Sequence, residues 1–303
     1  MRRTRSTAAP RPGLVAVGGA FAIAFSGVLV RLADVEPSTA AFFRCLYALP
    51  FLLPLALRER RLYGPREAGQ ARLAWIAGIF FAADLVFWHH AIGAVGAGLA
   101  TVLANTQVVL VGVAAWLLLG EKPGARLAAS VPVVLVGIVL ISGVVGADAY
   151  GDDPALGVVL GLLTAVSYSA FLLVLRAGNR DIRRPAGPLL DATAASAAAS
   201  VVIGLALGEL DLAPTWPEHA WLVLLAVSAQ VVGWLAISVS LPRLDAAVTS
   251  VLLTLQPVGT VVLAVLLLAE RPSWVQLAGI AVLLAGVTLA TGRRKAQAPP
   301  VPT

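Results

Sequence analysis

The sequence predicts an all-α polytopic membrane protein, ten transmembrane helices arranged as an inverted five-plus-five repeat. Three observations predict it. The composition is 59% hydrophobic and only 13% charged, where soluble domains carry about 25% charged residues. The apolar residues come in long runs that are apolar on every face, unlike the alternating strands of a membrane barrel. The chain also repeats itself at an offset of 149 residues. A bilayer core about 30 Å thick needs ~20 helical residues per crossing, so about ten crossings use up the chain and leave no room for a sizeable soluble domain.

Taken in order, the apolar runs end at charges and at Pro/Gly clusters. The first, 14–33, follows the basic leader MRRTRSTAAPRPG and is long for the apolar part of a cleavable signal. The second, 37–57, starts at Pro37 and stops before Arg58, Arg60 and Arg61. The third, 73–92, begins after Arg72, and the fourth, 97–119, closes at the turn of Glu121 and Pro123. The fifth, 126–146, precedes Asp148, Asp152 and Asp153; the sixth, 155–175, stops at Arg176. The seventh, 187–208, lies between Arg184 and Glu209, and the eighth, 219–241, between Glu218 and Arg243. The ninth, 246–269, ends at Glu270, and the tenth, 274–291, ends before Arg293. The tail 296–303, AQAPPVPT, has the composition of a disordered end. Trp75, Trp116, Trp221 and Trp274 fall near run ends, where indoles favour the membrane interface.

The loops fix the orientation, because Lys and Arg resist translocation. Alternate loops hold 19 of the 22 basic residues. The opposite set holds only Arg31 and Arg271, beside nine carboxylates that include Asp34, Glu209 and Glu270, and Arg44 lies within a span. Both termini are therefore expected in the cytoplasm, in a cytoplasmic (inner) membrane. The net charge of +6 records this topology and does not point to nucleic acid. The single Cys45 excludes an intramolecular disulfide framework and any multi-cysteine metal site, and reads as a small buried residue.

The repeat lays Ala97–Ile141 over Ala246–Ala290 without a gap. It pairs Gln107 with Gln256, Glu121 with Glu270, Pro123 with Pro272 and Gly137 with Gly286. An odd number of helices per half inverts the second half, so 1–147 and 148–295 are expected as two inverted units. Inverted repeats are typical of secondary transporters, whose halves exchange conformations about a midplane site.

The run from Ala83 to Pro123, ADLVFWHHAIGAVGAGLATVLANTQVVLVGVAAWLLLGEKP, and its echo from Leu255 to Pro272, LQPVGTVVLAVLLLAERP, resemble the EamA family of the drug/metabolite transporter superfamily. So does the arginine of the second helix, Arg44 in AAFFRCLYALP. The resemblance covers nearly the whole chain. It implies a ten-helix carrier of small metabolites, often an exporter, and leaves the substrate class open. Family members often have Gln-Pro in both repeats, whereas this chain has Gln107-Val108 and Gln256-Pro257.

Ionisable residues inside spans are costly and face a cavity or a partner. At 1.5 Å per residue, Arg44 and Asp84 differ by roughly 5 Å in depth, and Asp191 lies roughly 10 Å from Asp84. Arg44 and Asp84 are expected to form a charge-coupled pair on a central cavity, Arg44 engaging a carboxylate or phosphate and Asp84 an amine or a proton. A static ion pair that locks two helices is the competing reading. Trp88 lies one turn beyond Asp84 on the same helical face. Gln107, Gln230 and Gln256 fall near the midplane, and Tyr168 and Trp234 are deep enough to stack on a substrate. Asn105 with Thr101, and Thr254 with Ser250, repeat a polar pair at i, i+4. Pro257 removes a backbone hydrogen bond and is expected to mark a bend. The substrate-binding candidates are thus Arg44, Asp84, Trp88, Asn105, Gln107, Tyr168, Gln230, Trp234 and Gln256, with Pro257 as the gating bend. Ala192–Ser200, ATAASAAAS, is expected to allow close helix packing. Glu121 and Glu270 read as solvated carboxylates of tight hairpins. His89 and His90, pointing about 100° apart, make no metal pair; a pH-responsive outer gate is the alternative role.

No metal or cofactor is expected. The sequence has no Gly-rich phosphate-binding loop, so energy would come from a proton gradient or exchange rather than from ATP. The expected partners are a small-molecule substrate and the lipid bilayer, and a homo-oligomer is compatible with the sequence. Two other classes compete, a non-transporting scaffold or sensor and an intramembrane enzyme. The depths of Asp84 and Asp191 argue against a catalytic carboxylate pair.

Overall fold

In the computed structural model, the described residues are 12–119, 124–143, 145, 148–179, 181, 183–213, 215–240 and 246–291. They are helical and contain no strand. The helices are α1 (Pro12–Ala24), α2 (Ser26–Ala33), α3 (Pro37–Tyr63), α4 (Ala68–Ala104), α5 (Gln107–Leu119), α6 (Ala125–Ile141), α7 (Pro154–Gly178), α8 (Ala186–Leu207), α9 (Glu218–Leu225), α10 (Trp234–Ser240), α11 (Ala246–Leu267) and α12 (Trp274–Thr291), with a π-helical segment, Ala226–Gly233, joining α9 to α10. Among the described residues, six stretches are long and apolar enough to cross a membrane: Gly13–Ala33, Pro37–Tyr63, Ala68–Ala114, Pro154–Gly178, Ala186–Leu207 and Glu218–Ser240. Three shorter apolar helices are Ala125–Ile141, Leu255–Leu267 and Trp274–Ala290.

The stretch Ala68–Ala114 is a hairpin rather than one long rod. At Gly96 the backbone leaves the helix (φ 85°, ψ 164°), a conformation that glycine adopts without steric cost. The chain reverses there, as its packing on α7 demonstrates. Val95 meets Gly157 and Leu73 meets Gly178, so the first arm runs antiparallel to α7. Leu103 meets Gly161 and the Gln107 carbonyl accepts from Ser169 Oγ, so the second arm runs back parallel to it. With no charged turn to mark it, the break at 93–96 shows in the sequence only through its glycines.

Long-range contacts between loops sort into the two sets that the charge alternation demands. At one end, the acidic end, Glu209 accepts from Ser38 Oγ (2.9 Å) and meets His90 Nε2 (2.9 Å), and Gln276 Oε1 accepts from Tyr150 N (2.8 Å). At the other, the basic end, Glu59 accepts from the amides of Ala186 (2.9 Å) and Gly187 (2.8 Å), Arg66 pairs with Asp191, and Arg184 donates to the carbonyls of Tyr63 and Gly64.

Small residues set the helix contacts. A Cβ on Gly78 would meet the Ala192 carbonyl and lie 2.5 Å from Ala195 Cβ, so α4 and α8 touch backbone to backbone. Cys45 is buried and its Sγ lies 3.4 Å from Ser196 Oγ. Helices α6 and α12 cross antiparallel, with Gly137 against Leu283 and Gly286 against Val134. At the 149-residue offset Gly137 becomes Gly286 and Val134 becomes Leu283. The two contacts are thus one contact seen twice, as a two-fold axis between the halves requires.

Candidate functional site

Where α1, α2, α3, α4, α5, α7, α10 and α11 converge, the helices leave a cavity of about 80 Å³, lined by Arg44, Phe81, Asp84, Leu85, Trp88, Thr101, Asn105, Gln107, Thr164, Tyr168, Trp234 and Gln256, with Ile23 and Ser26 from the first span. The cavity is smaller than the about 300–1,000 Å³ typical of small-molecule pockets. Phe81, Asp84, Leu85 and Trp88 reach it together because spacings of three and four residues share one helical face.

Arg44 is 3% exposed. Its Nε donates to Gln230 Oε1 at 3.1 Å, and Gln230 Nε2 donates on to Thr193 Oγ1 at 3.1 Å. The guanidinium carbon stands 5.9 Å from the Trp88 ring centroid, within cation–π range. Gln230 reaches Arg44 from the π-helical segment Ala226–Gly233, where the wider turn displaces side chains from α-helical register. Asp84 lines the same cavity, yet among the described residues its carboxylate has no hydrogen-bond or ion-pair partner, and the two Nη groups of Arg44 have none.

Arg44 and Asp84 share the cavity and act on each other electrostatically, while among the described residues no ion-pair contact joins them and Arg44 Nε donates to Gln230 of the π-helical segment. Gln230 does not line the cavity, since both ends of its amide are committed to Arg44 and Thr193. The other predicted residues, Trp88, Asn105, Gln107, Tyr168, Trp234 and Gln256, do line it. Trp234 packs edge-on against Phe81 (5.8 Å), Phe171 (5.4 Å) and Tyr168 (6.1 Å), which fixes its ring at the cavity wall.

α11 continues through Pro257, whereas the helix without a proline breaks, at Asn105–Thr106. There Thr101 Oγ1 donates to Ala97 O (2.8 Å), Asn105 Nδ2 to Thr101 O (2.9 Å) and Thr106 Oγ1 to Leu103 O (2.8 Å). Side chains that bond backbone carbonyls compete with the helix and bend it. The equivalent side chains at Ser250 and Thr254 lie outside the described residues.

Glu270 is the clearest correction. It is 3% exposed, not solvated. Its Oε1 accepts from Ala97 N at 2.6 Å and its Oε2 from Gly98 N at 3.1 Å. It thereby caps the second arm of α4, where the unpaired amides and the helix dipole favour an anion. Burial holds its pKa above the ordinary carboxylate value, against the opposing pull of the two amides and of Arg31. Nothing local marks this role, because the capped amides lie some 170 residues away in sequence. Glu121 lies outside the described residues.

His89 Nδ1 meets Pro37 O (3.0 Å), and His90 meets two acceptors, Val86 O at Nδ1 (2.8 Å) and Glu209 Oε1 at Nε2 (2.9 Å). Among the described residues no group of three His, Cys, Asp or Glu side chains is placed to hold a metal ion.

The sequence matches the EamA-like transporter family over residues 12–143 and again over 155–292. The chain belongs to the EamA-like transporter family. Its two matched segments are the two repeats, and with the apolar helices they make it a multi-pass membrane protein of a transporter family. A solved structure described as "Crystal structure of protein" superposes with a TM-score of 0.62 at 18% identity, over 92% of this chain and 96% of that one. At that identity the likeness speaks for the fold alone. No curated protein matches the sequence.

Proposed function

We propose that this EamA-family protein is a secondary transporter of the cytoplasmic membrane that moves a small zwitterionic or amphipathic metabolite, amino-acid-like in its charges, by alternating access. Ten spans form two inverted halves, 1–147 and 148–295, with both termini in the cytoplasm, and a proton gradient or exchange supplies the energy. The observation that carries this reading is an arginine and an aspartate on one cavity, where among the described residues no ion-pair contact joins the two and neither the Arg44 Nη groups nor the Asp84 carboxylate makes a hydrogen bond to protein. Buried charges are costly unless paired, and a zwitterion pairs both at once.

In this mechanism Gln230 and Thr193 hold the Arg44 side chain, leaving its two Nη groups for a substrate carboxylate in the forked geometry that guanidinium favours. Asp84 takes the ammonium group, or a proton when the site is empty. Trp88, Tyr168 and Trp234 cover the apolar part, while Asn105, Gln107 and Gln256 supply hydrogen bonds. A lipophilic cation is disfavoured by Arg44. The self-matching contact of α6 with α12 supports the inversion of the halves, and the break at Asn105–Thr106 and Pro257 are the places where spans bend during exchange.

Counterflow in proteoliposomes, with a pool of labelled amino acids, amines and sugars, tests the reading. Saturable exchange of a zwitterion by the wild type, lost in a well-folded Asp84→Asn variant, is expected. Exchange that persists in that variant, or no exchange by folded wild type, would overturn it.

A further inference from the structure

Outside the cavity, the most unusual buried group is the carboxylate of Glu270. It belongs to the second repeat, yet it holds the first turn of a helix in the first repeat, through Ala97 N (2.6 Å) and Gly98 N (3.1 Å). The fit leaves no slack, since a Cβ on Gly96 would lie 2.7 Å from the Glu270 carboxyl carbon. The helix so held begins at the Gly96 reversal and leads, within eight residues, to Thr101 and Asn105 on the cavity wall. The residue before it, Ala269, takes a left-handed backbone (φ 54°), and the Glu270 amide donates back to Ala264 O (3.2 Å). This turn directs the side chain away from solvent and across to the other repeat.

We propose that Glu270 is the latch of the acidic end, its ionised carboxylate clamping the start of the second arm of α4 while that end is closed and letting go when it opens. The latch rests on the transporter reading and deepens it, by naming the contact that must break for the cavity to reach the acidic side. Two features single it out as a device rather than a strut. It joins the two repeats, which alternating access moves against each other. It also depends on charge, because a protonated carboxyl puts an O–H against an amide N–H and forfeits one of its two bonds. Burial already favours the protonated form. The charged and titratable groups that face Glu270 are Arg31, from α2, and Tyr150, from the segment before α7. At the 149-residue offset the sequence pairs Glu121 with Glu270, and Ala246-Ala247 with Ala97-Gly98, so the same combination of residue types is written at the basic end.

The test uses the full chain in nanodiscs, with spin labels on cysteines at positions 93 and 271, which are exposed at the acidic end. Cys45 is buried, and unsubstituted protein serves as the labelling blank. Wild type at neutral pH should give one short distance. Glu270→Gln should add a longer-distance population at least ten-fold larger than any in wild type, and Gly96→Ala should do the same by displacing the carboxylate without removing its charge. Acidification should open wild type and leave Glu270→Gln unchanged. Counterflow should fall at least ten-fold in both variants, because a carrier that cannot close one end cannot cycle. Unchanged distances in both folded variants would overturn the latch, as would an equal opening in Glu121→Gln, which would mark a general loosening. If the distances respond as stated while wild type exchanges nothing, the latch stands and the transport reading fails.

Discussion

Gln230 decides what Arg44 is free to do. By taking the Nε and handing its own amide to Thr193, it turns a long mobile cation into an aimed one. Replacing Gln230 with Leu should raise the KM for a carboxylate-bearing substrate roughly 10–100-fold, the equivalent of about 1.5–3 kcal/mol for a hydrogen bond to a charged group. The kcat should change less, and counterflow kinetics separate the two. Polar residues at membrane depth are few, and eight of the ten candidates named from the sequence line one cavity. The sequence could not assign Gln230 as the holder of Arg44, because helical periodicity counts α-turns and the π-helical segment breaks that count. Nor could it see Glu270 as buried, since adjacency to Pro272 describes a turn and says nothing of which distant helix the turn meets.

At the scale of elements, the packing is set by places where a side chain is missing. Gly78→Ala should destabilise the protein by about 1–3 kcal/mol, the range for overpacking, because the new methyl would enter the α4–α8 contact. Gly18→Ala, with nothing within 4 Å of its Cβ position, should be neutral or stabilising by up to about 1 kcal/mol. Ala269→Gly should relieve the left-handed strain at that position and stabilise by about 1 kcal/mol. Thermal unfolding in detergent ranks the three. The helices themselves were largely legible, since each apolar run falls mainly on helix among the described residues, six stretches of which are long enough to cross a membrane. Their interruptions were not. The bend expected at Pro257 falls inside an unbroken α11, and an unforeseen break lies at Asn105–Thr106, where three side chains bond backbone carbonyls.

For the whole molecule, sidedness is the property most open to a direct check. A cysteine replacing Trp274, which is 87% exposed, should react with a membrane-impermeant maleimide on intact cells. One replacing the exposed Arg183 should react only after permeabilisation, and the reverse pattern would invert the proposed topology. The grouping of loops into two ends was readable because basic residues mark alternate loops, and hydrogen bonds within each end agree with it.

The carboxylate that bridges the repeats also bears on how the chain is assembled. A first half synthesised alone would present the amides of Ala97 and Gly98 at the acidic end of the bundle without the carboxylate that accepts from them. A second half alone would carry a buried carboxylate with nothing to receive it. Each repeat therefore completes the other's hydrogen bonding, and halves expressed as separate chains are expected to accumulate only when co-expressed, which their yields in detergent check.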